Sequence, residues 1–398
     1  MLNRFIHSAR LNVFESARFY YWVLITLSSY TILNRFLQKL SFVYQNNQWV
    51  ELKIGEGILF GLAYLILLIS TWFLRSKVLG FIMQCWGVIV CIFLFNEFRY
   101  AWELPNYSII ESFTKGQGYY TAKVTMPLLF FGVWSVLKKT NHYGVAFINK
   151  LHFFLVVNAV FIISGVMFNV SLFESYPLSG RWGYSGLLWH LSFHNIIYGV
   201  FLLYLFEQKK KQWGTIILFG SVLLLLGQKA AMFYFLLIFT FGLITNQYIQ
   251  KVIIAIFLAT VFSAKLWVPY VITFSTFWKK VYNEYGVWGV LLSLRNENIQ
   301  SIWDNVNTEL TVIDIVLGGI VRYPSKIEMM PFDFLIYFGF VGLIVFTWCL
   351  VRIIPRWIWS IPFFVACFGG GIYEVPLGML IFFIMLKCCK ATVSNPNE

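Results

Sequence analysis

The sequence predicts an all-helical polytopic membrane protein of about twelve transmembrane helices, with both termini in the cytoplasm and one large outer loop between the ninth and tenth spans. Three observations predict it. Of 398 residues, 59% are hydrophobic and only 12% charged, against roughly 25% charged in soluble domains, so no soluble core has room for that much apolar surface. Apolar runs of about 20 residues, the length that crosses a bilayer, follow one another almost end to end. Lysine and arginine, finally, concentrate in alternate loops, as they do on the cytoplasmic side of membranes. One membrane domain over 1–398 follows, with 270–330 as a loop within it.

Taken in order, Arg4, Arg10 and Arg18 precede the first apolar run and no small-residue cleavage site follows it, which reads as a retained anchor. Spans fall at 19–37, 54–74, 77–96, 121–138, 151–170 and 186–206. The second half gives 212–227 and 229–245, joined by a tight turn at Gln228 and Lys229, then 250–269, 331–351, 356–370 and 374–388.

Orientation comes from the short loops. One side holds Arg4, Arg10, Arg18, Arg75, Lys77, Lys138, Lys139, Lys150, Lys209, Lys210, Lys211, Lys251, Arg352, Arg356, Lys387 and Lys390, with only Glu15, Glu207 and Glu398 against them. That side is the cytoplasm. The other side is neutral overall, so the net charge of +13 belongs to the cytoplasmic loops. Insertion topology accounts for it without a nucleic-acid partner.

The six cysteines, Cys85, Cys91, Cys349, Cys367, Cys388 and Cys389, lie in or beside apolar stretches without metal-ligand spacing and read as packing residues. His190 and His194 are four apart on one helical face but lack a third ligand, so they read as packing histidines and no metal is expected. There is no GxxxxGK[ST], GxGxxG or HExxH, which removes the usual grounds for nucleotide hydrolysis or a bound cofactor.

Two outer loops are long. One runs from about Glu97 to Tyr120; the other, 270–330, carries Trp278, Trp288, Trp303, Lys279, Lys280, Arg295 and Arg322. The spacing of Val287, Val290, Leu291 and Leu294 suits short amphipathic helices on the membrane surface. Ionisable residues at the membrane boundary are costly and point to function. Arg181 in SGRWGYSG, Lys229 in GQKAA, Arg295 in SLRNENIQSIW, Arg322 in GGIVRYP, Glu328 before the tenth span and Asp333 at its start are such residues. Each has a structural alternative: snorkelling for Arg181, a topology charge for Lys229, surface ion pairs for Arg295 and Arg322, and helix-dipole complementation for Glu328 and Asp333. Their gathering on one face suits a substrate bearing phosphate or pyrophosphate, which guanidinium groups grip in bidentate fashion. A neighbouring carboxylate would supply a general base.

From Ser179 to Thr347 the chain resembles the O-antigen polymerase and O-antigen ligase superfamily of bacterial membrane glycosyltransferases. The likeness rests on SGRWGYSGLL followed by HNIIYGVFLLYLF, on LLLLGQKAAMFYFLLIF, on LLSLRNENIQSIWDN with DIVLGGI, and on IEMMPFDFLIYFGFVGLIVF. Where that family often has Ser-Arg in the short turn, this chain has Gln228-Lys229. Its large loop also lacks the histidine common in the ligase branch, which favours the polymerase side.

The resemblance implies metal-independent transfer at the outer face of the bacterial cytoplasmic (inner) membrane, with an undecaprenyl-pyrophosphate-linked oligosaccharide as donor and O-antigen or capsule as product. It assigns Arg181, Lys229, Arg295 and Arg322 to the pyrophosphate, with Arg295 also in catalysis, Glu328 as base and Asp333 as its reserve. The implied partners are the lipid bilayer, a flippase and a chain-length regulator. Two alternatives stay open: a ligase that transfers the glycan to lipid A-core, and a transporter that flips the lipid-linked unit.

Overall fold

The structure, a computed structural model, describes residues 16–44, 53–103, 108, 112, 116–176, 181–188, 191–208, 212–243, 247–306, 311–319, 327–369, 372 and 375–394. Among them there is no strand; extended pairing is confined to two isolated bridges, Ser16 with Lys138 and Glu174 with Tyr184.

The first half is built from α1 (Ala17–Tyr44), α2 (Lys53–Phe73), α3 (Lys77–Glu103), α4 (Gln117–Val136), α5 (Thr140–Phe168) and α6 (Leu191–Glu207). The second half opens with α7 (Trp213–Leu225), α8 (Lys229–Leu243), α9 (Gln247–Phe262) and α10 (Ala264–Val271). The stretch 270–330 contains α11 (Thr276–Leu292), α12 (Arg295–Val306) and α13 (Val312–Leu317), and the chain finishes with α14 (Met330–Ile353), α15 (Ile361–Ala366) and α16 (Pro376–Ser394). Helices α3, α5 and α14 are each long and apolar enough to cross a membrane unaided, and α7, α8 and most of α6 and α16 are shorter apolar helices.

Packing agrees with a lipid-embedded bundle. Its centre is closed by fully buried side chains such as Trp134, Trp359 and Tyr198, while Trp72 and Trp102, each 85% exposed, and Phe262, 81% exposed, stand on the rim. Water tolerates such a girdle of large apolar groups poorly and lipid welcomes it. The protein is a helical membrane-embedded protein.

Two windows read from hydropathy differ in form from the helices found. The ninth, 250–269, is not one rod: α9 and α10 meet at a bend of 73°. The Thr260 carbonyl, which a continuous helix would give to the residue four ahead, accepts instead from Trp267 Nε1 at 2.7 Å and Ser263 Oγ at 3.2 Å. The eleventh, 356–370, holds only a 3₁₀ turn, Trp357–Ser360, and the six residues of α15. Pro355 and Pro362 and the glycine run 369–371 bracket it, and both residue types break helices.

Most buried apolar side chains form one core, but α10 and α11, with Ile272 between them, share a second, smaller one. Ala264, Val268, Ile272, Val281 and Val290 pack there with Trp267, Phe277, Trp278 and Tyr282. The cap over the bundle therefore coheres around its own apolar centre.

One break inside α14 seats the end of this cap. Gly339 has φ 61°, which interrupts the helix. The freed Ile336 carbonyl accepts from Gly319 N at 2.8 Å, and the Tyr337 carbonyl accepts from the Gln117 amide. Backbone opened inside apolar surroundings must find partners, and α13 with α4 supplies them. A Cβ at Gly339 would lie 2.3 Å from Val316 O, so the end of α13 is wedged directly into the break.

Candidate functional site

Between α5 and α6 the chain makes a tight hairpin. Ser175 N donates to Gly183 O at 2.7 Å, and the hairpin is sewn to the end of α7 by Tyr184 N to Leu225 O at 2.8 Å and Ser175 Oγ to Leu226 O at 3.0 Å. The last carbonyls of a helix need outside partners, and here the hairpin provides them. Glycines make the approach possible: a Cβ on Gly227 would lie 2.0 Å from Trp182 O, and one on Gly183 would lie 2.4 Å from Leu226 O. Arg181 on the hairpin is thereby brought beside Lys229 at the start of α8.

Both cations lie on aromatic faces. Arg181 Cζ is 3.9 Å from the Tyr176 ring centroid, 5.1 Å from Phe277 and 5.0 Å from Trp278. Lys229 Nζ is 3.7 Å from the Trp278 centroid, donates to the Val290 carbonyl and donates to Ser293 Oγ at 3.1 Å. Trp278 is thus shared by two cations from different parts of the bundle, each attracted by the negative ring face. Those contacts clamp the cap to the bundle.

Arg295, the first residue of α12, completes the group. Its Nη1 donates to Leu292 O at 3.2 Å, Nε to Glu328 O at 3.3 Å, and Nη2 to Glu328 Oε2 at 2.8 Å. Gly369 lies against the guanidinium, where an added Cβ would be 3.1 Å from Cζ. Arg181 and Arg295 are near enough to act electrostatically on each other and on Lys229. Burial first, then the neighbouring Arg295, pulls the Arg181 guanidinium below its ordinary value, with Tyr176 opposing. Burial pushes the Tyr176 hydroxyl up, against the pull of Arg181 and Arg295.

Glu328 holds a left-handed backbone, φ 61°, a conformation costing a non-glycine residue about 1 kcal/mol or more. Asp333 helps keep it there. Its side chain is buried, and Oδ1 accepts from Ile327 N at 3.0 Å, tying the segment ahead of α14 to that helix's first turn. Asp333 thus fixes the approach to Glu328, while Glu328 itself meets the cations. Arg322 lies outside the described residues, as do His190 and the side chain of Trp303.

The structure therefore brings together Arg181, Lys229, Arg295 and Glu328, four residues singled out from sequence, with Arg181 and Lys229 over Trp278 and Glu328 on Arg295. Sequence reasoning did not find Tyr176, Phe277, Ser293 or Gly369, because a hairpin and a cap helix without periodic register leave no signal of which rings meet which cations. It also passed over Lys39, fully buried near the end of α1, whose Nζ donates to Ser185 Oγ at 2.8 Å and to the Gly186 carbonyl. There a signal existed: a lone lysine in an apolar helix demands a partner. His194 is buried and stacks on Tyr198, and Cys85, Cys349, Cys388 and Cys389 are buried in the bundle. Among the described residues no three His, Cys, Asp or Glu side chains gather as metal ligands.

Chemically, three mutually interacting cations, two of them on aromatic faces, are accompanied by one carboxylate, which pairs with Arg295. That surplus of positive charge, held on preset donors, suits an anion with more than one charge and several acceptor oxygens. Comparison of the chain with family models, with curated proteins and with solved structures gives no match, so the case for this site rests on its own geometry.

Proposed function

We propose that the chain is a polysaccharide polymerase: a metal-independent membrane glycosyltransferase that moves an undecaprenyl-pyrophosphate-linked oligosaccharide onto the sugar end of another lipid-linked repeat. The observation that carries this reading is the convergence of three cations: Arg181 and Lys229 share the Trp278 ring, and Arg295, paired with Glu328, lies near enough to act electrostatically on both. An acceptor hydroxyl attacks the anomeric carbon of the donor, Glu328 takes the hydroxyl proton, and the bond from that carbon to the diphosphate oxygen breaks. The charge that develops on the leaving diphosphate falls to the cations, the kind of preorganised stabilisation that is often the largest catalytic contribution. Tyr176, Phe277 and Trp278 hold those cations in place and offer flat faces on which sugar rings stack.

The same reading places the site outside the bacterial cytoplasmic membrane, with twelve spans if α9 and α10 count as one bent span and residues 357–366 as a short one. Pairings in the structure support that arrangement, because they join loops of one charge class to each other. Lys39 with Ser185 and Arg99 with Asp314 link loops read as outer. Ser16 with Lys138, Lys150 with Tyr21 at 5.5 Å, and Arg356 with Glu207 link loops read as cytoplasmic.

The test is polymerisation by purified protein in liposomes from a defined undecaprenyl-pyrophosphate-linked repeat, with and without a chelator. A ladder of products that survives the chelator is expected. Arg295→Ala and Arg322→Ala should abolish it while leaving folded protein in the membrane. Transfer only to lipid A-core would make the protein a ligase, and movement of the lipid-linked unit without bond formation would make it a transporter.

A further inference from the structure

The Arg295 guanidinium is held by contacts of two kinds, and only one kind is replaceable. Nη1 and Nε donate to the carbonyls of Leu292 and Glu328 at 3.2 and 3.3 Å, so two backbone groups fix the plane of the fork whatever any carboxylate does. Gly369 closes one flank. Nη2 donates to the Glu328 carboxylate at 2.8 Å, and there the exposures differ: the arginine side chain is 16% exposed and the glutamate 50%. The cation is built in, while its counter-ion stands half in solvent, where ion pairs are weak. Arg181 and Lys229 add positive charge nearby, so any multiply charged anion that enters competes for Nη2 on favourable terms. A diphosphate offers more charge and more acceptor oxygens than a carboxylate, in a geometry the fork matches.

Building on the glycosyltransferase reading above, we infer that Glu328 is a displaceable counter-ion whose release switches on the base. The donor's diphosphate takes Arg295 Nη2 from Glu328. The freed carboxylate then accepts the proton of the acceptor hydroxyl as its oxygen bonds to the anomeric carbon, and the electron pair of the broken carbon–oxygen bond stays with the diphosphate, beside Arg295. While paired with Arg295 the carboxylate has Oε2 committed to Nη2 at 2.8 Å, so that oxygen is not free to take the acceptor's proton. Activation of the acceptor therefore waits for the leaving group to be seated, and the reaction is ordered with donor first.

Two measurements on the full chain test this. The first is calorimetric titration of inorganic pyrophosphate and of farnesyl pyrophosphate into protein held in phosphatidylcholine nanodiscs, repeated with phosphatidylglycerol to show whether a lipid headgroup occupies the same site. Glu328→Gln should bind both probes tighter by about threefold or more, since a competing counter-ion is gone, yet make no polymer. The second uses wild-type protein and so does not depend on how that variant folds: carboxyl footprinting with a diazo reagent, read by peptide mass spectrometry, should show Glu328 labelling rise when farnesyl pyrophosphate is added.

Unchanged or weaker binding by Glu328→Gln, or labelling that stays constant or falls, overturns the exchange while leaving the anion site intact. Absence of binding of either probe to wild type at millimolar concentration overturns the anion site itself, and the exchange with it.

Discussion

Trp278 is the residue on which the site balances, because its ring takes Lys229 at 3.7 Å and Arg181 at 5.0 Å. A cation over an aromatic face contributes about 0.5–1 kcal/mol where exposed and about 2 kcal/mol when desolvated, so removing the ring should release both. Trp278→Ala is expected to lower polymer yield by about tenfold or more, and Trp278→Phe, which keeps a face of weaker field, by less. Initial rates from the liposome assay check this, with protein amount and melting temperature held as controls. Equal rates for wild type and Trp278→Ala would mean the ring only anchors the cap. At this scale the sequence was a good guide to which charges come together and a poor one to what holds them. Arg181, Lys229, Arg295 and Glu328 stood out because charge at a membrane boundary is expensive. Tyr176 and Phe277 did not, since aromatic residues make up 20% of the chain and nothing local separates a ring under a cation from one facing lipid.

Among the elements, α13 shows how six residues are held firmly enough to matter. Its N-terminus is a capping box: Thr311 N donates to Asp314 Oδ2 at 2.9 Å, and Asp314 N donates to Thr311 Oγ1 at 3.3 Å. Asp314 also pairs with Arg99 of α3, which links the cap to the bundle. Burial alone would raise the Asp314 carboxyl, but the hydrogen bonds from Thr311 and Arg99 outweigh it and hold the group below the ordinary carboxylate range. A depressed folded-state value means that this stability is present above the unfolded pKa, about 3.9, and disappears as pH falls through the folded one. Asp314→Asn should therefore cost about 1–3 kcal/mol at pH 7, and the gap to wild type should begin to narrow below about pH 4 and close beneath the folded value as wild type loses the same interaction. Melting temperatures of the two proteins followed from pH 7 downward decide it; a gap that does not narrow at all at the acid end would assign the loss to packing. Short helices within 270–330 were legible in advance from apolar spacing. The bend between α9 and α10 was not, because it depends on Trp267 and Ser263 capturing one carbonyl, and hydropathy averages over such events. Nor was the break at Gly339, where the deciding contact comes from Gly319 and Gln117, far away in sequence.

Over the whole molecule, two physical rules act together, and each was readable to a different depth. Hydropathy marks out apolar segments and charge bias sorts their ends into two classes, yet neither says which ends touch. Chain stitching decides that: the hairpin carrying Arg181 locks onto the end of α7, and the cap, organised around its own core, closes over both through Trp278 and Lys229. If the loops sort by side as their pairings imply, the cap and the loop between α8 and α9 lie across the membrane from one another. Asn283 stands exposed on α11 and Lys251 exposed on α9, which makes them suitable reporters. With the six native cysteines replaced, Asn283→Cys should react in intact cells with a membrane-impermeant maleimide, whereas Lys251→Cys should react only after permeabilisation. The reverse pattern would turn the molecule over and place the three cations in the cytoplasm, where no outward-facing lipid-linked oligosaccharide reaches them. Labelling of both from outside would show that the bent α9–α10 pair returns to the side it started from, and the number of spans would fall accordingly.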